Sequence, residues 1–263
     1  MRKTTSELLI RAWKPWRMAH LYCNWPDALL DRLHLLTSQP IVYRLRNGAK
    51  FSACARSLDV RIINEIWIDN VYTPAPLFSI RDGWTIVDVG GHKGFFSILA
   101  ATSAKGVRIY VFEPSPESFA ALSNNIQLNR LSNVKAFNIA VSQAEGERVL
   151  HLAAEPVCNS LLMRTDVAMR GDITVKAWSL ERVLRTVGSS VDLLKMDIEG
   201  LEYEVLLSCS PQALGVVERI ALEYHDKAVS GTHDVSQLSA FLNRNGFSTQ
   251  LNVTRRILLA QRK

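Results

Sequence analysis

Lys195, Asp197 and Glu199 follow one another at intervals of two in Leu193-Leu194-Lys195-Met196-Asp197-Ile198-Glu199-Gly200. If the segment stays extended, a period of two puts all three charges on one face. Charges on an interior strand are costly unless paired or used. A Lys195–Asp197 ion pair, with Glu199 favouring the N-terminus of the following helix, would accommodate them structurally. The alternative is chemistry, because perturbed charges gather at functional sites. Leu222-Glu223-Tyr224-His225 supplies two more polar groups, Glu223 and His225, at the same edge of the expected sheet. Such a set can take the proton from a hydroxyl held in line with an electrophile. Asp197, Glu199 or His225 could be the base, with Lys195 lowering a neighbouring carboxylate's pKa or orienting the substrate. The same acids and imidazole could instead hold a divalent cation that binds a diol acceptor, and residue types alone do not choose.

A second constellation lies upstream, in Asp88-Val89-Gly90-Gly91-His92-Lys93-Gly94. Its glycines permit a tight turn, close backbone approach to a ligand and a helix packed hard on a strand. Aligning Gly91 and Gly94 with the last two glycines of a dinucleotide fingerprint puts Val89 where the first should stand, so that motif fails. Asp88 would repel a pyrophosphate but attract the amino group and sulfonium of S-adenosylmethionine, which makes a cationic cofactor the expectation. No Gly-Lys-Ser/Thr ending is present, so a triphosphate cradle is not expected. Roughly 20 residues beyond the glycines, Glu113 in Phe112-Glu113-Pro114 is placed to accept both ribose hydroxyls of an adenosine cofactor. Asn138 and Ala140 could line the adenine pocket, and Asp197 lies close enough in the expected sheet to serve the cofactor as well.

These residues need a sheet to carry them. After Pro74 and Pro76 strand-like segments alternate with helical ones, the texture of a parallel sheet covered by helices. Strands are expected at 85–90, 108–114, 134–142, 191–199 and 219–225, each apolar through its middle as a strand buried on both faces must be. Helices are expected at 94–104, 116–129, 200–208 and 235–245. Two closing strands, 247–253 and 255–261, have a turn between them too short for anything but antiparallel pairing. Residues 149–180 read as an insertion adding an edge strand and a loop over the site. Upstream, Ile41 to Phe51 reads as a hairpin around Asn47-Gly48. Residues 1 to about 38 read as helical and basic, with Trp13, Trp16 and Trp25 among Arg11, Lys14, Arg17 and His20. That segment is either a cap packed on the main domain or an arm for a membrane surface or nucleic acid. The expected organisation is an appendage over 1–76 and a catalytic domain over 77–263.

With 263 residues and 48% hydrophobic content, the chain can bury one substantial α/β core. A net charge of +6 suits anionic partners without choosing among them. Cys23, Cys54, Cys158 and Cys209 are scattered, with neither a disulfide framework nor zinc spacing, and a reducing, cytoplasmic setting is the expectation. No apolar run approaches the roughly 20 residues of a membrane span, though peripheral membrane contact stays open.

Taken in order, several motifs resemble the FkbM-type methyltransferases: Glu65 with Tyr72, Asp88-x-Gly90-Gly91-His92-x-Gly94-Phe95-Phe96, Phe112-Glu113-Pro114, Asn125-Ile126-x-Leu128-Asn129, and Leu194-Lys195-Met196-Asp197-Ile198-Glu199-Gly200. The likeness runs from about Phe51 to Glu223. It implies a doubly wound, Rossmann-like class I methyltransferase sheet, S-adenosylmethionine as cofactor, and transfer to a hydroxyl of a sugar, glycolipid or secondary metabolite. The chain departs from the family pattern at Gly91 and His92, where the family has Ala and Asn; Asn there is expected beside the methionine end of the cofactor. The expected site therefore comprises Asp88, Gly90, Gly91, His92, Gly94, Glu113, Asn138, Ala140 and Asp197 for the cofactor, and Lys195, Asp197, Glu199 and His225 for the acceptor, with no metal assigned. Two rivals are a degenerate fold retained as a binding protein and an RNA methyltransferase. Tight, steeply salt-dependent nucleic-acid binding would mark the first. The second predicts an Asn-Pro-Pro-Tyr-type site where Asp197-Ile198-Glu199 stands, so nucleic acid is not the expected substrate.

Overall fold

The computed structural model describes residues 15–162, 168–225 and 234–263. Trp13, Arg11 and Lys14 of the basic segment and positions 163–167 of the insertion lie outside them. Within the described part of the N-terminal segment, helices α1 (Pro15–Leu21) and α2 (Trp25–Arg32) precede a hairpin of β1 (Pro40–Arg44) and β2 (Lys50–Cys54), then α3 (Asp59–Trp67). The hairpin turns at Gly48, whose φ of +93° a side chain would resist. Pro26 falls in the first turn of α2, where a missing N–H costs nothing.

From Thr85 onward the chain alternates strand and helix. It runs β3 (Thr85–Val89), α4 (Phe95–Ser103), β4 (Arg108–Phe112), α5 (Pro116–Leu128), β5 (Val134–Phe137), β6 (Ala140–Ser142), β7 (Gly146–Ala153) and β8 (Met169–Ser179). Then follow α6 (Leu180–Val187), β9 (Leu193–Met196), α7 (Glu202–Leu207), α8 (Pro211–Leu214), β10 (Arg219–Glu223), α9 (Val235–Arg244), β11 (Phe247–Asn252) and β12 (Ile257–Arg262). Seven strands form one sheet in the order β11-β12-β10-β9-β3-β4-β5. β10, β9, β3, β4 and β5 pair parallel, and β12 lies antiparallel to both β10 and β11. This is the doubly wound sheet with an antiparallel C-terminal strand that the motifs imply.

Strand order reverses between β3, which continues to β4, and its other neighbour β9, so the ligand crevice of such a sheet opens there. In that register Asp88 stands directly beside Lys195. Every residue of β3 and β9 is buried, as strands covered on both faces require. One apolar cluster covers the face under α4 and extends without a break into α1, the hairpin and α3, with Phe51 edge-on to both Trp67 and Phe95. α4 is consequently apolar nearly all round, buried between the sheet and the N-terminal layer.

Three expected elements came out differently. The strand expected over 134–142 is two strands in different sheets, β5 at the edge of the large sheet and β6 in a three-stranded sheet ordered β6-β8-β7. The insertion thus joins β6 in a small second sheet, and Pro156 and Val157 of its 3₁₀ turn Pro156–Cys158 line the crevice beside Glu113 and Ala140. The strand expected over 191–199 stops at Met196. No helix among the described residues is long and apolar enough to cross a membrane.

Candidate active site

The glycine loop leaves β3 and folds back on its neighbours. Gly90 and Gly91 both donate backbone N–H bonds to the carbonyl of Phe112 at 3.0 Å. A Cβ on Gly90, at φ +83°, would lie 1.8 Å from the Asp197 carbonyl oxygen, and one on Gly91 would lie 2.2 Å from Val111 Cγ2. The close approach that these glycines allow is therefore to the protein's own strands, and it brings β3, β4 and the end of β9 together. Asn125 in α5 and Asn129 just after it secure the loop from behind. Asn125, fully buried, bonds both backbone groups of Ser52 and donates to the Lys93 carbonyl at 2.9 Å, while Asn129 clasps Lys50. Lys93 in turn meets Asp59 at 2.7 Å.

Beneath the loop, Lys195 is 4% exposed. Its Nζ donates to the Gly90 carbonyl at 2.7 Å and sits 3.1 Å from Asp88 Oδ1, while Asp88 Oδ2 accepts from Ser97 Oγ at 2.7 Å. Burial alone would lower the Lys195 pKa, but Asp88, then Asp197 and Glu223, hold it above its ordinary value. Lys195 is thus a cation tied into the sheet, paired with Asp88 and not with Asp197. Its ammonium also lies 5.3 Å from the centre of the Tyr72 ring.

Glu113, directly after β4, is 6% exposed. It accepts the His92 N–H at 2.7 Å on one oxygen and the Ser115 N–H at 2.9 Å on the other. Burial pushes it up to about 7, against the pull of those two bonds. Asn138 does not line the pocket: its amide donates to the Glu113 and Pro114 carbonyls, fixing the turn from outside, while Ala140 does face the cavity. His92 holds a left-handed φ of +47°, and both of its ring nitrogens are buried without a hydrogen-bond partner. Burial takes its pKa down to about 4, so the ring is neutral at neutral pH.

A charge titrating this low has a measurable consequence. Between pH 6.5 and 4 the unfolded chain binds a proton at position 92 that the folded chain refuses, so stability falls with pH across that window. His92→Asn removes the group, and Asn tolerates the left-handed backbone. Urea unfolding should show the variant gaining about 2 kcal/mol on the parent on going from pH 8 to pH 5. An equal difference at both pH values would refute the buried neutral imidazole.

Beyond Met196 the chain does not stay extended: Glu199 has a φ of +55°, and its carbonyl accepts from Ser160 Oγ at 2.9 Å. The turn carries Asp197 and Glu199 to a shared polar cluster by bending, where the sequence pattern expected a flat strand face. Tyr72, reaching in from the loop after α3, has its hydroxyl 3.0 Å from Asp197 Oδ2 and 2.7 Å from Glu223 Oε2. Asp197 Oδ1 is buried with no hydrogen-bond partner. Burial, and then Asp197, push Glu223 up to about 8. Glu202, fully buried, receives the Ile198 and Gly200 N–H groups and the His225 Nδ1 at 3.0 Å. The His225 pKa, which burial would lower, is raised to about 10 by Glu202, Glu199 and Asp197. At neutral pH His225 is a cation, suited to balancing these acids and poorly suited to accepting a proton.

The arrangement brings together every acid and base expected at the rim and adds two groups. Tyr72 stood out in the sequence only through the resemblance, and Glu202 read as an ordinary acid in the first turn of a helix. A cavity of about 460 Å³ opens over Tyr72, Lys195, Asp197, Glu199 and Glu223. A narrower one of about 60 Å³ lies toward Glu113 and Ala140, and the two share Gly90, His92, Val157, Asp197 and Glu199. The segment from Pro156 to Leu161 walls the narrower cavity on the side facing Glu113.

A sequence model of the methyltransferase FkbM domain matches residues 88–249. Methyltransferase sdnD from Sordaria araneosa is 30% identical over 216 residues, covering 71% of this chain and 81% of that protein. The 31-O-demethyl-FK506 methyltransferase FkbM from Streptomyces tacrolimicus is 26% identical over 234 residues, 78% of this chain and 88% of the relative. AMB antimetabolite synthetase AmbE from Pseudomonas aeruginosa is 29% identical over 230 residues, but the match takes in 72% of this chain and 11% of AmbE, so this chain corresponds to a small part of that protein.

Proposed function

The chain belongs to the FkbM family of S-adenosylmethionine-dependent methyltransferases, and we propose that it transfers the methyl group to a hydroxyl oxygen of a sugar, glycolipid or secondary metabolite. The observation that carries this reading is Asp197, whose Oδ2 is anchored by Tyr72 while Oδ1, buried and without a partner, borders the larger cavity beside the glycine loop. A buried acceptor atom left over by the protein is one that a ligand's hydroxyl can satisfy. The Streptomyces tacrolimicus relative, a 31-O-demethyl-FK506 methyltransferase, has an oxygen as its methyl acceptor.

The orphaned polar atoms of His92 and Asp197, on the wall common to both cavities, fit a polar ligand that bridges them. Asp88, through Lys195, holds the loop of Gly90, Gly91 and Gly94 in place, and Glu113 would take the ribose hydroxyls. When bound, S-adenosylmethionine supplies a methyl carbon on a positively charged sulfur. Asp197 and Glu199 give that region the negative charge that suits such a sulfur. Asp197 Oδ1 receives the hydroxyl proton, while Tyr72 keeps the carboxylate from rotating away. Lys195, fixed to Asp88 and the Gly90 carbonyl, positions the loop and does not reach the acceptor.

Methyl-labelled S-adenosylmethionine offered with a panel of polyhydroxy compounds tests the reading. Label recovered as an alkali-stable ether is the expected result; label in an alkali-labile ester or a methylamine overturns it. Asp197→Asn should lower turnover roughly 10²–10⁴-fold, the range for loss of a positioned base, and leave the affinity for S-adenosylhomocysteine little changed in calorimetry.

A further inference from the structure

We propose that Asp197, Glu199 and His225 form a binding site for one divalent transition-metal cation, with room on its open side for two adjacent oxygens of the acceptor. One ligand atom from each residue can be chosen so that all lie within 4.8 Å of one another. At roughly 2.1 Å from a shared octahedral ion, adjacent donors lie about 3 Å apart and opposite ones about 4.2 Å, so the three need to close in only slightly. His225 Nε2 and Glu199 Oε2 are 3.7 Å apart, too far for a hydrogen bond and within the span of two ligands on one ion.

Two further observations point to a ligand and not merely to a crowd of acids. Asp197 Oδ1 is buried and has no partner in the protein. The imidazole, in turn, is presented in the manner of a metal ligand. Its Nδ1 is engaged by the fully buried Glu202, itself fixed by the Ile198 and Gly200 N–H groups, which leaves Nε2 directed at Glu199. A carboxylate behind the distal nitrogen is the usual outer support of an imidazole bound to a metal, where it fixes the ring and raises its basicity. Nε2 must give up any proton to bind, as imidazole ligands do. Glu199 is held on the other side by its left-handed backbone and the Ser160 bond.

Two carboxylates and one imidazole suit Mn²⁺, Fe²⁺ or Zn²⁺ better than an all-oxygen ion such as Ca²⁺. Three protein ligands leave open positions for a vicinal diol or a hydroxy-carboxylate, which defines the acceptor class more narrowly than a single hydroxyl does. An acceptor hydroxyl held on such an ion would be made more acidic and would give its proton to the Asp197 carboxylate beside it, the same proton acceptor as in the methyl-transfer reading. This catalytic role rests on the methyl-transfer reading; binding of the ion does not.

The test is a titration of chelator-treated full-length protein with Mn²⁺, following free Mn²⁺ by electron paramagnetic resonance without any acceptor. One ion per chain is expected. His225→Ala and Glu199→Gln should each weaken binding at least about tenfold, and Glu202→Gln roughly 10–100-fold, as loss of outer support does at metal sites. Binding of S-adenosylhomocysteine, measured on the same samples, reports that each variant is folded. Absence of Mn²⁺ binding at millimolar concentration in the parent, or binding unchanged in folded His225→Ala, overturns the proposal. Methyl transfer that persists in a chelator would do so too for the catalytic role while leaving the methyltransferase reading intact.

Discussion

Lys195→Met should cost about 3–5 kcal/mol of stability at pH 8, the loss expected when one partner of a buried ion pair is removed. The substitution keeps the volume of the side chain and deletes its charge. What it leaves behind is Asp88, fully buried, with Ser97 as its remaining hydrogen-bond donor, and a Gly90 carbonyl with no donor. Burial already raises the Asp88 carboxyl, with Lys195 the strongest influence pulling it back down, so without the lysine it rises further. A carboxyl raised above its unfolded value holds its stability below that value and loses it as pH climbs through the folded one. The deficit should therefore be largest at pH 8 and shrink toward pH 5 as Asp88 takes up a proton. Denaturant unfolding at the two pH values measures this, and adding Asp88→Asn to the lysine variant should recover much of the loss at pH 8, because a neutral amide costs less to bury than an unpaired charge. A deficit that is small, or equal at both pH values, would mean that the pair does not organise the switch point of the sheet.

Much of the sheet could be read in advance because strands buried on both faces must be apolar through their middles, and Thr85–Val89 and Leu193–Met196 are buried without exception. The turn after Met196 could not. Period-two reasoning assumed an extended chain, whereas the left-handed conformation of Glu199 is set by tertiary contacts such as the Ser160 bond, which no local pattern announces. The same assumption paired Lys195 with Asp197, its neighbour along the strand, when the parallel register places it beside Asp88, about a hundred residues away in sequence. Glu202 was invisible for a different reason: an acid in the first turn of a helix is favourable at the surface, and nothing in its surroundings along the chain marks it as fully buried behind His225. Asn125 and Asn129 looked like the end of a helix, and they are, but their amides also stitch the hairpin and the glycine loop to α5. Residue type was legible throughout; which partner each polar group takes was a property of the fold.

Glu113→Ala should reduce the affinity for S-adenosylhomocysteine roughly 10²–10⁴-fold, since two hydroxyl bonds to an ionised carboxylate are each worth about 1.5–3 kcal/mol when made away from bulk water. The carboxylate is well placed for this. Each oxygen already accepts one backbone N–H, from His92 or Ser115, and a second lone pair remains on each to face the cavity. Because burial has raised Glu113 to about 7, the form that accepts hydroxyl hydrogens becomes fully populated only above neutrality. Without ligand, the group favours the fold below its unfolded value and gives that contribution up as pH rises toward 7. Ligand binding runs the other way, drawing the proton off: affinity should climb from pH 6 to pH 8 with a midpoint near the Glu113 value and then level out. In Glu113→Ala the whole curve should lie low, and the rise attributable to this group should vanish. Calorimetry across that pH range decides the matter, and parent and variant curves that coincide would remove Glu113 from the cofactor site.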